Sequence, residues 1–264
     1  MSSVPAVEVL SVDKTYPNGT QALQAVKLRV QEGELVTLLG PSGCGKSTLL
    51  KMIAGLLEPS NGRLLLWGQP VEQIDGSGHG LSFVFQEPTL MPWARVMANV
   101  RLPLDLEGVP AAASTPRVHE ALAMVGLDQF ASHLPRELSG GMQMRVSIAR
   151  GLVTQPTLLL MDEPFGALDE ITRHRLDSDL LELWQRKQLT VVFVTHSIYE
   201  AVYLSTRVVV MAARPGRLIE ELNIDEPYPR GPDFRVSTAF SRHAKRLQDS
   251  LLRASGAQPE GAAA

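Results

Sequence analysis

The octapeptide GPSGCGKS at residues 40–47 has the residue types and spacing of a phosphate-binding loop. Glycines in Gly40, Pro41, Ser42, Gly43, Cys44 and Gly45 let backbone amides turn inward around an anion. Lys46 supplies a point charge for the β- and γ-phosphates, and Ser47 offers a hydroxyl to Mg²⁺. With Thr48, these residues form the expected nucleotide-binding set, and the ligand they imply is a nucleoside triphosphate. A second chemical group lies in LLLMDEP, which ends an apolar run at Asp162 and Glu163. Alone, adjacent acids at a strand end read as a solvated turn. Beside a phosphate loop, Asp162 is placed to hold Mg²⁺ through water, and Glu163 to act as general base on the attacking water. His196 follows the apolar run TVVFVT. A lone histidine there reads as a surface or capping residue, but in a sheet whose neighbouring strands end at Gly40 and Asp162 it faces the same phosphates. His79, His119, His133, His174 and His243 show no metal-ligand spacing and receive no role.

LSGGMQMR at residues 138–145 raises a separate question. Ser139, Gly140 and Gly141 sit just ahead of a helical pattern, which is again anion-binding chemistry. The chain already has a phosphate loop far upstream.

These residues need a scaffold, and the pattern of the chain supplies one. Residues 7–12 alternate apolar and polar and read as a half-exposed strand, as do residues 25–30 before the Glu32-Gly33 turn. LVTLLG at 35–40 is a short apolar run that enters the glycine loop, and STLLKMIAGLL at 47–57 has helical spacing up to the turn PSNG. GLSFVFQ at 80–86 is a strand candidate. From 87 to about 152 helical segments broken by prolines and glycines form an insertion. Strand character returns in TLLLMDEP, TVVFVTH and RVVVMAA, with a helical pattern over 171–187. Strand–helix alternation with fully apolar strands predicts an α/β fold with a mainly parallel sheet. The expected organisation is one nucleotide-binding domain over 1–222, with the helical subdomain at about 87–152. A short extension over 223–264 follows, in which Phe240, Ala244, Leu247 and Leu251 share one face of an amphipathic helix before a mobile tail AQPEGAAA.

The 264 residues carry a net charge of −3 with a pI near 6.1, which argues against a nucleic-acid partner held by a broad basic face. Cys44 is the only cysteine, so no intrachain disulfide forms and a reducing compartment is expected. The N-terminal residues lack a signal-peptide pattern, and no apolar run approaches the roughly 20 residues needed to span a bilayer. The chain is expected to sit against a membrane without crossing it.

As a set, GPSGCGKS, Gln86, LSGGM, LLLMDEP, GALD and TH, in this order, resemble the motifs of the ATP-binding-cassette (ABC) ATPases, over residues 7 to about 220. The resemblance implies a P-loop NTPase fold with an N-terminal antiparallel β subdomain and a helical insertion that carries the signature LSGGM. It also answers the question of the second loop, because in this family the signature completes the site of a second subunit. ATP is then sandwiched between one chain's Lys46 and the other chain's Ser139, Gly140 and Gly141. The resemblance further implies that Tyr16 stacks on adenine and that Gln86 senses the γ-phosphate and Mg²⁺. It implies as well that His196 holds the γ-phosphate and Glu163, and that Asp169 crosses the dimer. Met142 and Met144 depart from the commonest form of the signature region, and Met144 is expected to alter the packing of the signature helix.

QEPTLMPW, FGALDEITR and VVMAARPGR resemble the subgroup serving nitrate, aliphatic sulfonate, taurine, bicarbonate and thiamine-precursor importers. The implied partners are a transmembrane permease, which docks beside the segment after Gln86, and an extracytoplasmic solute-binding protein. The implied location is the cytoplasmic face of the bacterial inner membrane. An exporter's ATPase subunit remains an alternative. A chromosome or repair ATPase would need a long coiled coil, and no sustained heptads occur. Finally, the inward amides and Lys46 are expected to favour the Cys44 thiolate at the nucleotide, so that alkylation abolishes hydrolysis and MgATP slows it.

Overall fold

The protein is represented by a computed structural model that describes residues 4–74 and 78–254. The expected mobile tail lies outside the described residues. In chain order the strands and α-helices are β1 Val7–Thr15, β2 Gln21–Val30, β3 Leu35–Leu39, α1 Lys46–Ile53, β4 Asn61–Leu66, β5 Gln69–Pro70 and β6 Leu81–Val84. Then follow α2 Val96–Leu106, α3 Ala111–Met124, α4 Gly140–Leu152, β7 Leu158–Asp162, α5 Glu170–Lys187, β8 Thr190–Thr195, α6 Ile198–Leu204, β9 Arg207–Ala212, β10 Arg217–Asn223 and α7 Thr238–Ala254.

The strands form two sheets. The antiparallel one has the order β2-β1-β4-β5, and the larger one the order β10-β9-β3-β8-β7-β6. Within the larger sheet β3, β6, β7, β8 and β9 run parallel, and β10 returns antiparallel at the edge. This is the α/β P-loop architecture expected. Every residue of β3, β7 and β8 is buried, which is why those segments read as unbroken apolar runs.

Side chains alternate across the sheet and divide the core. Leu35, Leu39, Leu159, Met161, Val191 and Phe193 face one apolar cluster, packed with α2, α3, α4, α5, α6 and α7. Val36, Leu38, Leu158, Leu160, Val192 and Val194 face the other, packed with α1 and the antiparallel sheet. Each fully buried aliphatic side chain contributes roughly 1.5–3 kcal/mol, so both faces of the sheet are held firmly.

Some elements differ from the sequence reading. Strands β4, β5 and β10 were not expected. β4 opens on exposed Asn61, Gly62 and Arg63 and then carries consecutive leucines, which gives no alternation to read. β10 is an edge strand whose burial alternates while its residues include Arg217, Glu220 and Glu221. The helix after the glycine loop stops at Ile53, before a turn closed by Gly55 at φ 70°. The C-terminal helix α7 is longer than a short closing helix. It buries Phe240 and Leu247 in the main core, with Ala244 and Leu251 packed beside them.

The segment between β10 and α7 is fixed by Arg230. Its buried guanidinium donates to the carbonyls of Val202, Tyr203 and Ser205 at 3.0, 2.9 and 2.9 Å, and to those of Ile224 and Glu226 at 3.0 and 3.2 Å. The Tyr228 ring lies 4.0 Å beneath it. These bonds join the end of α6 to the returning chain. Arg230→Met keeps the volume and leaves several buried carbonyls without a donor, so it is expected to cost about 3 kcal/mol. Urea unfolding should show a lower midpoint with an unchanged m-value; an unchanged midpoint would show that the tie contributes nothing.

Candidate active site

The carboxyl ends of the central strands meet because of their register. Leu39 pairs with Thr195, Asp162 with Val194, and Val84 with Met161. The chain therefore leaves three neighbouring strands, β3, β8 and β7, at one edge, carrying Gly40, His196 and Asp162–Glu163 together.

The loop from Gly40 to Gly45 turns through Gly43 at φ 77° and Gly45 at φ 92°, conformations that favour glycine. Lys46 opens α1 and is only 4% exposed. Its Nζ donates to the carbonyls of Gly40 at 2.8 Å and Pro41 at 3.1 Å, and lies 3.6 Å from Glu163 Oε1. Ser47 Oγ donates to Asp162 Oδ1 at 2.7 Å. Burial pushes the Asp162 carboxyl above its usual range, and the Ser47 hydroxyl opposes that shift. Tyr16 is half-buried beside the same helix, its hydroxyl 3.1 Å from Thr48 Oγ1.

Glu163 stands just past β7 with φ 45°, a left-handed conformation unusual for a side-chain-bearing residue. That turn points Oε2 at His196 Nδ1, 2.8 Å away, and leaves the imidazole largely exposed. Gly166 lies against both, so the pair sits under a backbone that carries no side chain. Gln86 is exposed just beyond β6, the strand beside β7. Asp169 is also exposed and caps α5 by accepting from the Thr172 amide at 3.0 Å, a bond that holds its carboxyl below the usual range.

The signature segment is elsewhere in the chain. Ser139 caps α4, accepting from the Met142 amide at 3.3 Å, and α4 packs on α2, α3 and β6. Ser139 and Gly140 are exposed, and a side chain on Gly140 would meet open space. Gly141 differs: a Cβ there would come within 2.8 Å of Thr172 Cγ2, so this glycine permits close approach of α4 to α5. Met144 is buried in the main core and Met142 packs against it, so the departures from the commonest signature are absorbed as apolar packing. Gln143, which no motif singles out, donates to the carbonyls of Pro135 at 3.0 Å and Leu138 at 3.2 Å and braces the turn before the signature.

Other residues also escaped the sequence reading. Arg173 donates to the Phe165 and Leu168 carbonyls, and buried Glu200 accepts from Thr195 Oγ1. Both lie inside quoted or neighbouring segments, GALDEITR and the helix after TH. Only long-range contact gives them meaning.

Cys44 corrects an expectation. The thiol is fully buried in the apolar cluster beneath the loop, against Gly40 and Met211. Burial raises its pKa more than Lys46 lowers it. The Cys44 side chain turns into the core beneath the loop, with the Lys46 ammonium 4.0 Å from its sulfur. In native protein a maleimide should therefore label Cys44 at least about 10²-fold more slowly than after unfolding in urea, with or without MgATP. Rapid native labelling that MgATP slows would return the thiol to the nucleotide side.

Against this geometry, the family model described as ABC transporter matches residues 23–166. An uncharacterised ABC transporter ATP-binding protein of Methanocaldococcus jannaschii is 48% identical over 240 residues, covering 89% of this chain and 88% of that one. A taurine import ATP-binding protein of Rhizobium johnstonii is 48% identical over 210 residues, covering 80% and 79%. An aliphatic sulfonates import ATP-binding protein of Bacillus cereus is 41% identical over 250 residues, covering 94% and 96%. Among solved structures, a cassette from Clostridium perfringens that is part of an ABC transporter complex has a TM-score of 0.77 at 28% identity, covering 92% of this chain and 99% of its own. A dimeric bacterial ABC transporter cassette has a TM-score of 0.74 at 34% identity, covering 84% and 100%. With a phosphate loop, an acidic strand end and a signature helix in one fold, this chain belongs to the ABC transporter ATPases, enzymes that bind and hydrolyse ATP.

Proposed function

We propose that this chain is the ATP-hydrolysing subunit of an importer for a small solute of the nitrate, sulfonate, taurine, bicarbonate or thiamine-precursor class, and that it works as a homodimer with two composite ATP sites. The observation that carries the dimer is that the exposed end of α4 stands on a different element from the phosphate loop and α1. Ser139 and Gly140 are exposed on a helix packed against α2, α3 and β6, while Lys46, Glu163 and His196 gather at the carboxyl edge of the sheet. A nucleotide on Lys46 is completed by Ser139 of a second copy. The related cassette solved as a dimer supports the pairing of two copies.

Each residue then has a task. Tyr16 offers a face to adenine, and the Gly40–Gly45 amides with Lys46 cradle the phosphates. Ser47 and Asp162 supply oxygen donors that would hold Mg²⁺, with Gln86 reaching from the neighbouring strand. The fit is favourable, because a partly desolvated carboxylate beside a hydroxyl gains from a cation. Held there, the cation would offset charge developing on the transferred phosphoryl group. Glu163 takes a proton from the attacking water, and His196 fixes Glu163 through the 2.8 Å contact while its exposed edge meets the γ-phosphate. Asp169, capping α5 at the surface, faces the second subunit. ATP joins the halves, and hydrolysis releases them.

Import rests on the taurine and sulfonate import relatives. Among the described residues no helix is long and apolar enough to cross a membrane. On the importer reading the permease is a separate chain, and this subunit works against it at the cytoplasmic face of the inner membrane. A solute-binding protein outside would deliver the cargo. The permease helix would dock in a groove of about 870 Å³ near the segment after Gln86, lined by Phe83, Phe85, Leu102, Pro103, Leu106 and Arg150.

Glu163→Gln should bind MgATP, lose at least about 10² in turnover and elute as a dimer only with ATP. Adding Ser139→Arg to that chain should keep nucleotide binding but leave it monomeric. Normal turnover of Glu163→Gln, or dimerisation indifferent to Ser139→Arg, would sink the composite-site reading.

Leu106→Glu tests the groove. Leu106 is 81% exposed, so the change leaves the fold and the free subunit's hydrolysis intact. Copurification with the permease should fall at least about tenfold; undiminished copurification would move the docking site elsewhere.

A further inference from the structure

Glu163 and His196 are held by a ring of contacts that ends on an arginine with no role in the chemistry above. Arg173 lies in the first turn of α5. Its Nη2 donates to the Leu168 carbonyl at 2.9 Å and its Nε to the Phe165 carbonyl at 3.3 Å. The same Nε is 3.6 Å from Glu200 Oε1. Glu200 is 5% exposed at the side chain, and this oxygen has no hydrogen-bond partner, so the Arg173 cation is what faces it. The other carboxylate oxygen accepts from Thr195 Oγ1, which in turn accepts from the Ser197 amide at 2.9 Å. Thr195 and Ser197 are the residues on either side of His196. The ring closes through His196 Nδ1 to Glu163 Oε2 and through the Gly166 amide to the Glu163 carbonyl at 3.2 Å.

We propose that Arg173 is a positioning residue of the hydrolysis reaction, one guanidinium that fastens both the loop from Glu163 to Asp169 and the helix after His196, so that the water-activating pair and the Asp169 loop stay in one geometry. The inference rests on the hydrolysis mechanism proposed above. Physical reasons favour an arginine for this task. Its planar fork donates to two carbonyls while its charge faces a carboxylate, a fixed geometry that the point charge of a lysine does not reproduce. Glu163 has a strained backbone, and such strain persists only where neighbours impose it. The Phe165 and Leu168 carbonyls belong to the turn that imposes it. Removing the guanidinium also leaves Glu200 buried without its cation, a costly state. Arg235, which also lines this pocket, is committed elsewhere: its Nη2 lies 2.8 Å from Asp177, a buried carboxylate on α5 whose pKa is pushed up to about 7 by burial and by Glu200.

The experiment compares wild type, Arg173→Met, Arg173→Lys, Glu200→Gln, the double variant Arg173→Met with Glu200→Gln, and Glu163→Gln. Steady-state hydrolysis gives kcat and KM for MgATP. Rates are expressed per binding site, counted by titration with a fluorescent non-hydrolysable ATP analogue, so that unfolded protein is not scored as inactive. Arg173→Met should lower kcat per site at least about tenfold with KM within about twofold, the signature of an interaction that acts on the transition state. Arg173→Lys should fall between it and wild type, since charge remains and the fork is lost. Adding Glu200→Gln to Arg173→Met should recover at least about threefold in kcat, because the buried charge left unpaired is removed.

The inference is overturned if kcat per site in Arg173→Met stays within twofold of wild type, if KM rises instead, or if Glu200→Gln gives no recovery. Should Arg173→Met yield no folded protein, wild-type kcat in Arg173→Lys overturns it equally. A fully active Glu163→Gln would fail the underlying mechanism, whereas an inactive Glu163→Gln beside a normal Arg173→Met fails only this inference.

Discussion

The parallel register of β3, β8 and β7 is the constraint on which the active site depends. It sets Leu39 beside Thr195 and Asp162 beside Val194, so the next residues of each strand emerge side by side. A slip of one residue would turn every side chain of a strand to the opposite face. It would exchange the members of the two apolar clusters and carry Asp162 out of reach of Ser47, now 2.7 Å away. Because both faces of these strands are buried, the hydrophobic cost of such a slip is large, and the chemistry inherits its precision from the core.

Charge is placed at this edge with little surplus. Lys46 sits among carbonyl oxygens and 3.6 Å from Glu163, while Asp162 leans on a serine hydroxyl rather than a cation. Buried carboxylates nearby, Glu200 and Asp177, are each given one arginine. Such pairs stabilise weakly, because desolvation offsets most of the Coulomb attraction, but breaking one leaves an unpaired buried charge. The arrangement therefore resists rearrangement more than it adds to overall stability, which suits loops that must keep a nucleophilic water in line.

The signature segment shows one short motif split between two tasks. Gly141 is used within the chain, where its missing Cβ lets α4 approach Thr172. Ser139 and Gly140 are left facing solvent, with Ser139 spending part of its hydroxyl capacity on the helix cap. Half of the motif is thus internal packing and half an exposed anion-binding end, a form consistent with service to another molecule.

The sequence by itself determined the chemical inventory and the core strands. GPSGCGKS between an apolar strand and a helix, the acidic end of LLLMDEP and the histidine after TVVFVT were legible because each depends on residues adjacent in the chain. Fully apolar runs likewise announced β3, β7 and β8. Tertiary structure alone decided the remainder. β4 and β10 carry too many polar or unpatterned residues to declare themselves, and pair only because β1 and β9 present free edges. The direction of the Cys44 thiol was misread, since loop composition does not say which side the amides take. Arg173, Glu200 and Arg230 look like ordinary surface charges in sequence; burial and partners as far as 28 residues away give them their roles. Local spacing encodes which groups are present, and only the packing of distant segments decides which of them meet.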